Sequence, residues 1–272
     1  IFAVSSTSCI RSKMLSTYDL IMMFLSLSRF FLQSWIMLEL SLGLFCQDCY
    51  YKANLMGTFK TVFVFLNYSS FWFAAWLSVF YCIKVASFTE SFFVWLKQRI
   101  SSLMPWMLIT SSLFCLAASL PFSWDIYNMH NNFSTPLIKT SSSKWKVTVP
   151  YSFFSLIFVC NAGILLPFMI FAVSSVLLIR SLWKHTRQMQ NNATGFRDPS
   201  LEAHIGAIRS IFSFLLLYLI NFIALSLMLS GIFLPFSTEE AICMAIMAAC
   251  PAAHSMVLIW SNPKFRKLPA RI

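Results

Sequence analysis

Six stretches of this chain are each long and apolar enough to cross the hydrocarbon core of a bilayer, and no other feature constrains its folding as strongly. They run approximately Leu20–Leu44, Thr58–Ile83, Leu103–Phe122, Pro150–Leu182, Ala207–Phe233 and Ala241–Trp260. A membrane helix needs about 20 mainly apolar residues, and without water to satisfy the backbone only helices and closed barrels can span. Runs of this length therefore predict an all-α membrane protein. Only 11% of residues are charged, against about 25% in soluble domains. Pro150–Leu182 is longer than the bilayer requires and is expected to project beyond it at one end. The chain opens on Ile1 rather than Met, and its first residues, IFAV, read as the tail of a further helix. The expectation is six complete spans and the end of a preceding one, forming a single domain from 1 to 272.

The net charge of +11 could point to nucleic acid if the bases shared one solvated face. They sit instead in short clusters between apolar runs, so no nucleic-acid partner is expected and the charges report topology. Fourteen of the Lys and Arg residues fall in alternate connections, among them Lys84, Arg180, Lys184, Arg187, Arg209 and Lys264. Five fall in the other set, including Lys52 and Lys60, and Arg29 lies inside a span. Basic connections stay cytoplasmic, which places the carboxy-terminus inside the cell and Asn262-Pro263 at the membrane boundary. Arg180, Lys184 and Arg187 recur at helical spacing, forming a stripe suited either to anionic lipid heads or to an acidic protein.

The informative residues are the polar ones left within the spans. Arg29, in LSLSRFF, lies deep in its span, where a charge costs about 2.5–3.5 kcal/mol on insertion scales. It either faces the bundle interior and an acceptor there or snorkels to the interface. Asn67, Asn161 and Asn221 sit roughly 13–18 Å below the outer surface at 1.5 Å per residue. They serve either as hydrogen-bonding glue between helices or as the polar groups of an apolar ligand pocket. Phe63 and Asn67 share one helical face; Tyr218, Asn221 and Phe222 share another. His254 and Ser255 lie about seven residues from the inner end of the last span, with no second ligand at metal spacing. Glu39, near an outer end, is within reach of water.

Asn132-Phe-Ser134 is an N-glycosylation acceptor pattern on the outer loop Ser123–Val149. The spans contain no HExxH, GxSxG or close acid–base pair, so an enzyme is not expected, nor is a cofactor or metal. A transporter would place carboxylates along a pathway, and Glu39 alone is a candidate.

Together these segments resemble the bitter taste receptors, the type 2 taste receptor family of seven-helix G-protein-coupled receptors. LSLSRF at 25–30 resembles the second-helix signature, and FWFAAWLSVFYCIKVASF at 71–88 the third helix and its following loop. LLIRSLWKHTRQMQ at 177–190 resembles the end of the fifth helix; RDPSLEAHIGAIRS and SFLLLY resemble the sixth. HSMVLIWSNPKF at 254–265 resembles the seventh-helix pattern HSxxLIxxNxKL. The resemblance implies sensing of bitter small molecules at the plasma membrane and coupling to a heterotrimeric, gustducin-type G protein. It implies a ligand pocket at Phe63, Asn67, Tyr218, Asn221, Phe222 and Met244, where Met244 replaces a residue polar in some members and favours an apolar agonist. It further implies a conformational switch at Arg29, Tyr218, His254 and Ser255, a G-protein face at Tyr81, Lys84, Arg180, Lys184 and Arg187, and a glycan at Asn132.

Overall fold

The computed structural model describes residues 16–46, 53–86, 91–133, 151–192, 199–229, 232 and 237–261; for 43–44, 53–56, 92, 121–133, 151–162, 189–192, 199–204, 229 and 261 it describes the backbone alone. The IFAV segment, Ser134 and everything from Asn262 onward lie outside these residues. Six helices fill the description: α1 (Thr17–Phe45), α2 (Ala53–Val85), α3 (Ser91–Phe133), α4 (Tyr151–Asn192), α5 (Pro199–Leu229) and α6 (Thr238–Ser261). Each contains a stretch long and apolar enough to span a membrane. α3 continues well past the expected end of its span at Phe122, so the first part of the expected outer loop, with Asn132, is helical. α4 runs on to Asn192 and carries Arg180, Lys184 and Arg187 on exposed positions.

Local sequence accounts for the helix starts. Ser237 precedes α6, and its hydroxyl accepts the backbone N–H of Glu240 at 3.2 Å. This N-cap satisfies one of the amides that a first turn leaves without a partner. Glu239 and Glu240 in that first turn, and Asp19 in the first turn of α1, oppose the positive end of the helix dipole. Pro167 lies inside α4 and Pro251 inside α6. Each lacks the N–H that would bond the carbonyl four residues earlier, a defect membrane helices tolerate where neighbours compensate.

The helices are not equivalent in the bundle. In the apolar stretch of α2, 78% of the residues are buried, while no other helix exceeds 39%. α2 is therefore the central column, packed against α1, α3 and α4, while α5 joins α4 to α6. α3 shows the opposite pattern. Ile100, Met104, Leu108, Cys115 and Ser119 form a buried stripe at helical spacing, while Trp106, Leu113, Leu116 and Leu120 are exposed. In water that exposed face would be unfavourable, and against lipid it is the expected one. One end of the bundle collects Lys84, Arg180, Lys184, Arg187 and Arg209; the other carries Glu39, Lys60 and Glu240.

α2 and α4 also approach closely at a glycine. A Cβ built on Gly163 would stand 3.4 Å from the ring of Tyr68, which is fully buried. Gly163→Ala should fit, since that distance is ordinary van der Waals contact and Ala favours helix by about 1 kcal/mol over Gly. Gly163→Leu should force the two helices apart and lower the melting temperature and membrane expression of the protein. Equal melting temperatures for the two variants would disprove the close approach.

Candidate functional site

Arg29 lies midway along the apolar stretch of α1, on the order of 18 Å from either end at 1.5 Å per residue. Its side chain is buried inside the bundle, so the interior placement holds and the snorkelling alternative does not. Nη1 lies 3.0 Å from His254 Nδ1 and donates to Ser255 Oγ at 3.0 Å. A guanidinium can only donate, so His254 Nδ1 accepts and the ring proton sits on Nε2. The imidazole stacks on Phe214, with centroids 4.2 Å apart. Ser255 passes its own hydroxyl hydrogen to the Pro251 carbonyl at 2.8 Å. One turn further along α1, Gln33 Nε2 donates to the Ala248 carbonyl at 3.4 Å. The polar contacts between α1 and α6 thus bracket Pro251, where α6 lacks a backbone hydrogen bond.

Tyr218 on α5 is buried and joins three helices. Its hydroxyl donates to the Phe71 carbonyl of α2 at 3.1 Å. Phe71 meets its ring edge-on at 4.6 Å, and Phe171 of α4 stacks on it at 4.1 Å. The stack continues through Phe168, which lies parallel to Phe222 at 4.5 Å. Stacked and edge-to-face pairs at these distances contribute about 0.5–1.5 kcal/mol each beyond burial.

Between the arginine and this aromatic group is a small cavity of about 20 Å³, lined by Arg29, Ser70, Phe71, Tyr218, Asn221 and His254 among others. Three of the four expected switch residues, Arg29, Tyr218 and His254, meet at it, and Ser255 is bonded to the first. Of the expected ligand residues, Tyr218 and Asn221 line this cavity, whereas Phe63, Asn67, Phe222 and Met244 are not part of its wall. Phe63 and Met244 are core residues, and Phe222 packs against the core. The Asn67 amide donates to Phe63 O of its own helix at 2.9 Å, and its Oδ1 is buried without a partner. The side chain of Asn161, the third asparagine of the expected layer, lies outside the described residues.

At the basic end a much larger space of about 970 Å³ opens between α2, α4, α5 and α6. Tyr81, Ser175, Leu178, Arg209, Phe214 and Trp260 belong to its wall. Of the residues expected to face a G protein, Tyr81 lines this space and touches Tyr18 edge-on at 5.9 Å. Lys84, Arg180, Lys184 and Arg187 are exposed on α2 and α4 and form no part of the wall.

Several contributors escaped sequence reading. Glu39 is buried rather than reaching water, because Lys60 Nζ lies 3.5 Å from its carboxylate and 3.7 Å from that of Glu240. Lys60, one turn before Phe63 and Val64, carried the signal in its helical spacing. Phe168 and Phe171 follow Pro167 at helical spacing in a Phe-rich chain, where nothing singles them out. Ser78, Ser174 and Ser175 link α2 to α4 through hydroxyl contacts of 2.8–3.0 Å, and the adjacent serines were the available clue.

Because His254 and Ser255 share one Arg29 nitrogen, His254→Ala and Ser255→Ala should be strongly non-additive. A double-mutant cycle on thermal unfolding should give a coupling energy of about 0.5–3 kcal/mol. Additive effects would show that the three side chains do not act as a unit.

A family model described as taste receptor protein (TAS2R) matches residues 1–272. The chain is 69% identical over 272 residues to taste receptor type 2 member 40 of Gallus gallus, covering 100% of this chain and 88% of that protein. It is 41% identical over 277 residues to taste receptor type 2 member 39 of Homo sapiens, covering 100% of this chain and 80% of the relative. The Mus musculus protein of the same name is 36% identical over 267 residues, covering 98% and 83%. With an all-helical description containing six apolar spans and a match along its whole length, the chain belongs to the type 2 taste receptors, the bitter receptors among the G-protein-coupled receptors.

Proposed function

We propose that this receptor binds bitter, largely apolar small molecules between the Glu39 end and the Tyr218 group, and signals to a gustducin-type G protein through the basic end. The carboxy-terminus and the 970 Å³ space then face the cytoplasm at the plasma membrane, in keeping with the excess of Lys and Arg in the connections of that side. The observation that carries this reading is the position of Tyr218. It belongs to the aromatic stack through Phe168 and Phe222 and to the cavity wall shared with Arg29 and His254. A ligand against Asn221 and Phe222 would therefore act on the same packing that holds α1 to α6.

In this reading Phe63, Asn67 and Met244 complete the ligand's surroundings, and Asn67 has an unpartnered oxygen to offer it. The ligand need only bind the signalling arrangement more tightly than the resting one. Rearrangement of α5 and α6 about Tyr218 and Pro251 would reshape the larger space, whose wall includes Arg209, Phe214 and Trp260. Lys84, Arg180, Lys184 and Arg187 flank that space as a cationic rim for an acidic partner surface or for lipid heads. Asn132 would carry the glycan on the opposite side.

Calcium release in cells expressing the full-length receptor with a taste-type G protein, challenged with a panel of bitter compounds, tests the reading. Asn221→Ala and Asn67→Ala should weaken agonist potency at unchanged surface expression. Tyr218→Phe keeps the ring and loses the bond to Phe71, shifting the resting-to-active balance by up to about tenfold, since such a bond contributes ~0.5–1.5 kcal/mol. Lys184→Glu with Arg187→Glu should depress the maximal response while leaving agonist potency within about threefold. Wild-type potency and efficacy in all of these variants would overturn the assignment.

A further inference from the structure

The geometry points to a binding site for one small monovalent anion, of halide size, in the cavity beside Arg29. Two described facts carry it. Arg29 Nε is buried and bonds to nothing among the described residues. Asn221, on the wall of the same cavity, is buried with its Oδ1 equally without a partner. The acceptors on the other side of the guanidinium, His254 and Ser255, are uncharged in this arrangement, and both described ion pairs belong to Lys60.

Among the described residues counter-charge is lacking at this depth as well. The acids within the apolar stretches, Asp19, Glu39, Glu239 and Glu240, stand near the ends of those stretches. Asp19 and Glu39 are each ten residues from Arg29, about 15 Å along the helix. A full positive charge in the centre of a bilayer is costly, and neutral acceptors offset less of that cost than an anion does.

The cavity chemistry suits a halide. A space of about 20 Å³ holds one water molecule or one monatomic ion and suits a small anion better than a carboxylate or larger oxyanion. Asn221 can present its amide hydrogens by turning the carboxamide over, since the two ends have nearly the same shape. Ser70 supplies a further hydroxyl on the wall. Arg29 Nε–H, Asn221 Nδ2–H and Ser70 O–H, on the wall of one cavity, are then available with the guanidinium charge to a body that needs no directional acceptors of its own. Water fits by size and leaves the charge uncompensated. Ala74 and His254 border both this cavity and the 970 Å³ space at the basic end, so an anion would enter by movement of one of them. The Lys and Arg rim there raises the local anion concentration. The site stands on the buried charge and shares Asn221 with the ligand surroundings of the proposed function.

The test is thermal unfolding of the purified full-length receptor in nanodiscs of zwitterionic lipid. Sodium chloride, sodium bromide and sodium gluconate are compared at equal ionic strength, gluconate being too large for the cavity. The melting temperature should be roughly 2–4 °C higher in either halide once its concentration exceeds Kd about tenfold. Asn221→Leu, which fills the cavity and keeps the Arg29–His254–Ser255 contacts, should abolish the difference. If that variant does not fold, Ser70→Val is read in the same way and should reduce it. Equal melting temperatures of the wild-type receptor in the three salts, or a halide effect undiminished in the variant that folds, would overturn the proposal and leave the cavity to water alone.

Discussion

The bundle is organised around a single positive charge placed where the membrane tolerates it least. Arg29 cannot be neutralised by solvent at mid-span, so its surroundings must supply acceptors, and those come from α6, the last helix described. The contacts to His254 and Ser255 are long-range in sequence and short in space. They close the ring of helices by tying the first of them described here to the last. Pro251 stands within this contact, so the part of α6 that bonds the arginine is also the part with the weakest backbone. An interaction strong enough to define the interface is thus attached to a segment able to change shape.

A second organising element is α2. With most of its apolar stretch buried, it has little lipid-facing surface and acts as the partner common to α1, α3 and α4. Tyr68 against Gly163, Phe71 against Tyr218 and Ser78 against Ser174 are successive levels of one column. Interiors packed in this way shift between discrete arrangements rather than deforming smoothly. In the proposed function a small displacement near Phe222 would be passed along α2 and α5 rather than absorbed locally. This supports the proposed function, in which a ligand level and a partner level lie at opposite ends of the same helices.

Much of this architecture was legible in the residues. Length and apolarity alone gave six spans, because the bilayer sets a minimum length and forbids unpaired backbone. The depth of Arg29 required an interior partner, yet its identity was out of reach. Residues 29 and 254 are far apart in the chain, and only the packing of α1 on α6 brings them together. The asparagine layer shows the opposite limit. Depth arithmetic fixed height along each helix but not the rotation of each face, and rotation decides that Asn221 lines the cavity while Asn67 turns to its own backbone. The aromatic stack was obscured by abundance: with 29 phenylalanines, residue type could not mark Phe168 and Phe171. Glu39 illustrates a further difficulty, since its burial depends on Lys60 and Glu240 from two other helices.

The ring of His254 is a wall common to two spaces of very different size, one near 20 Å³ and the other near 970 Å³. Turning that imidazole would remove an acceptor from Arg29 and, in the same movement, join the small space to the large one. Solvent from the larger space would then reach the guanidinium, and hydration would replace the hydrogen bonds just lost. The wetting of that one charge would offset part of the cost of the broken bonds.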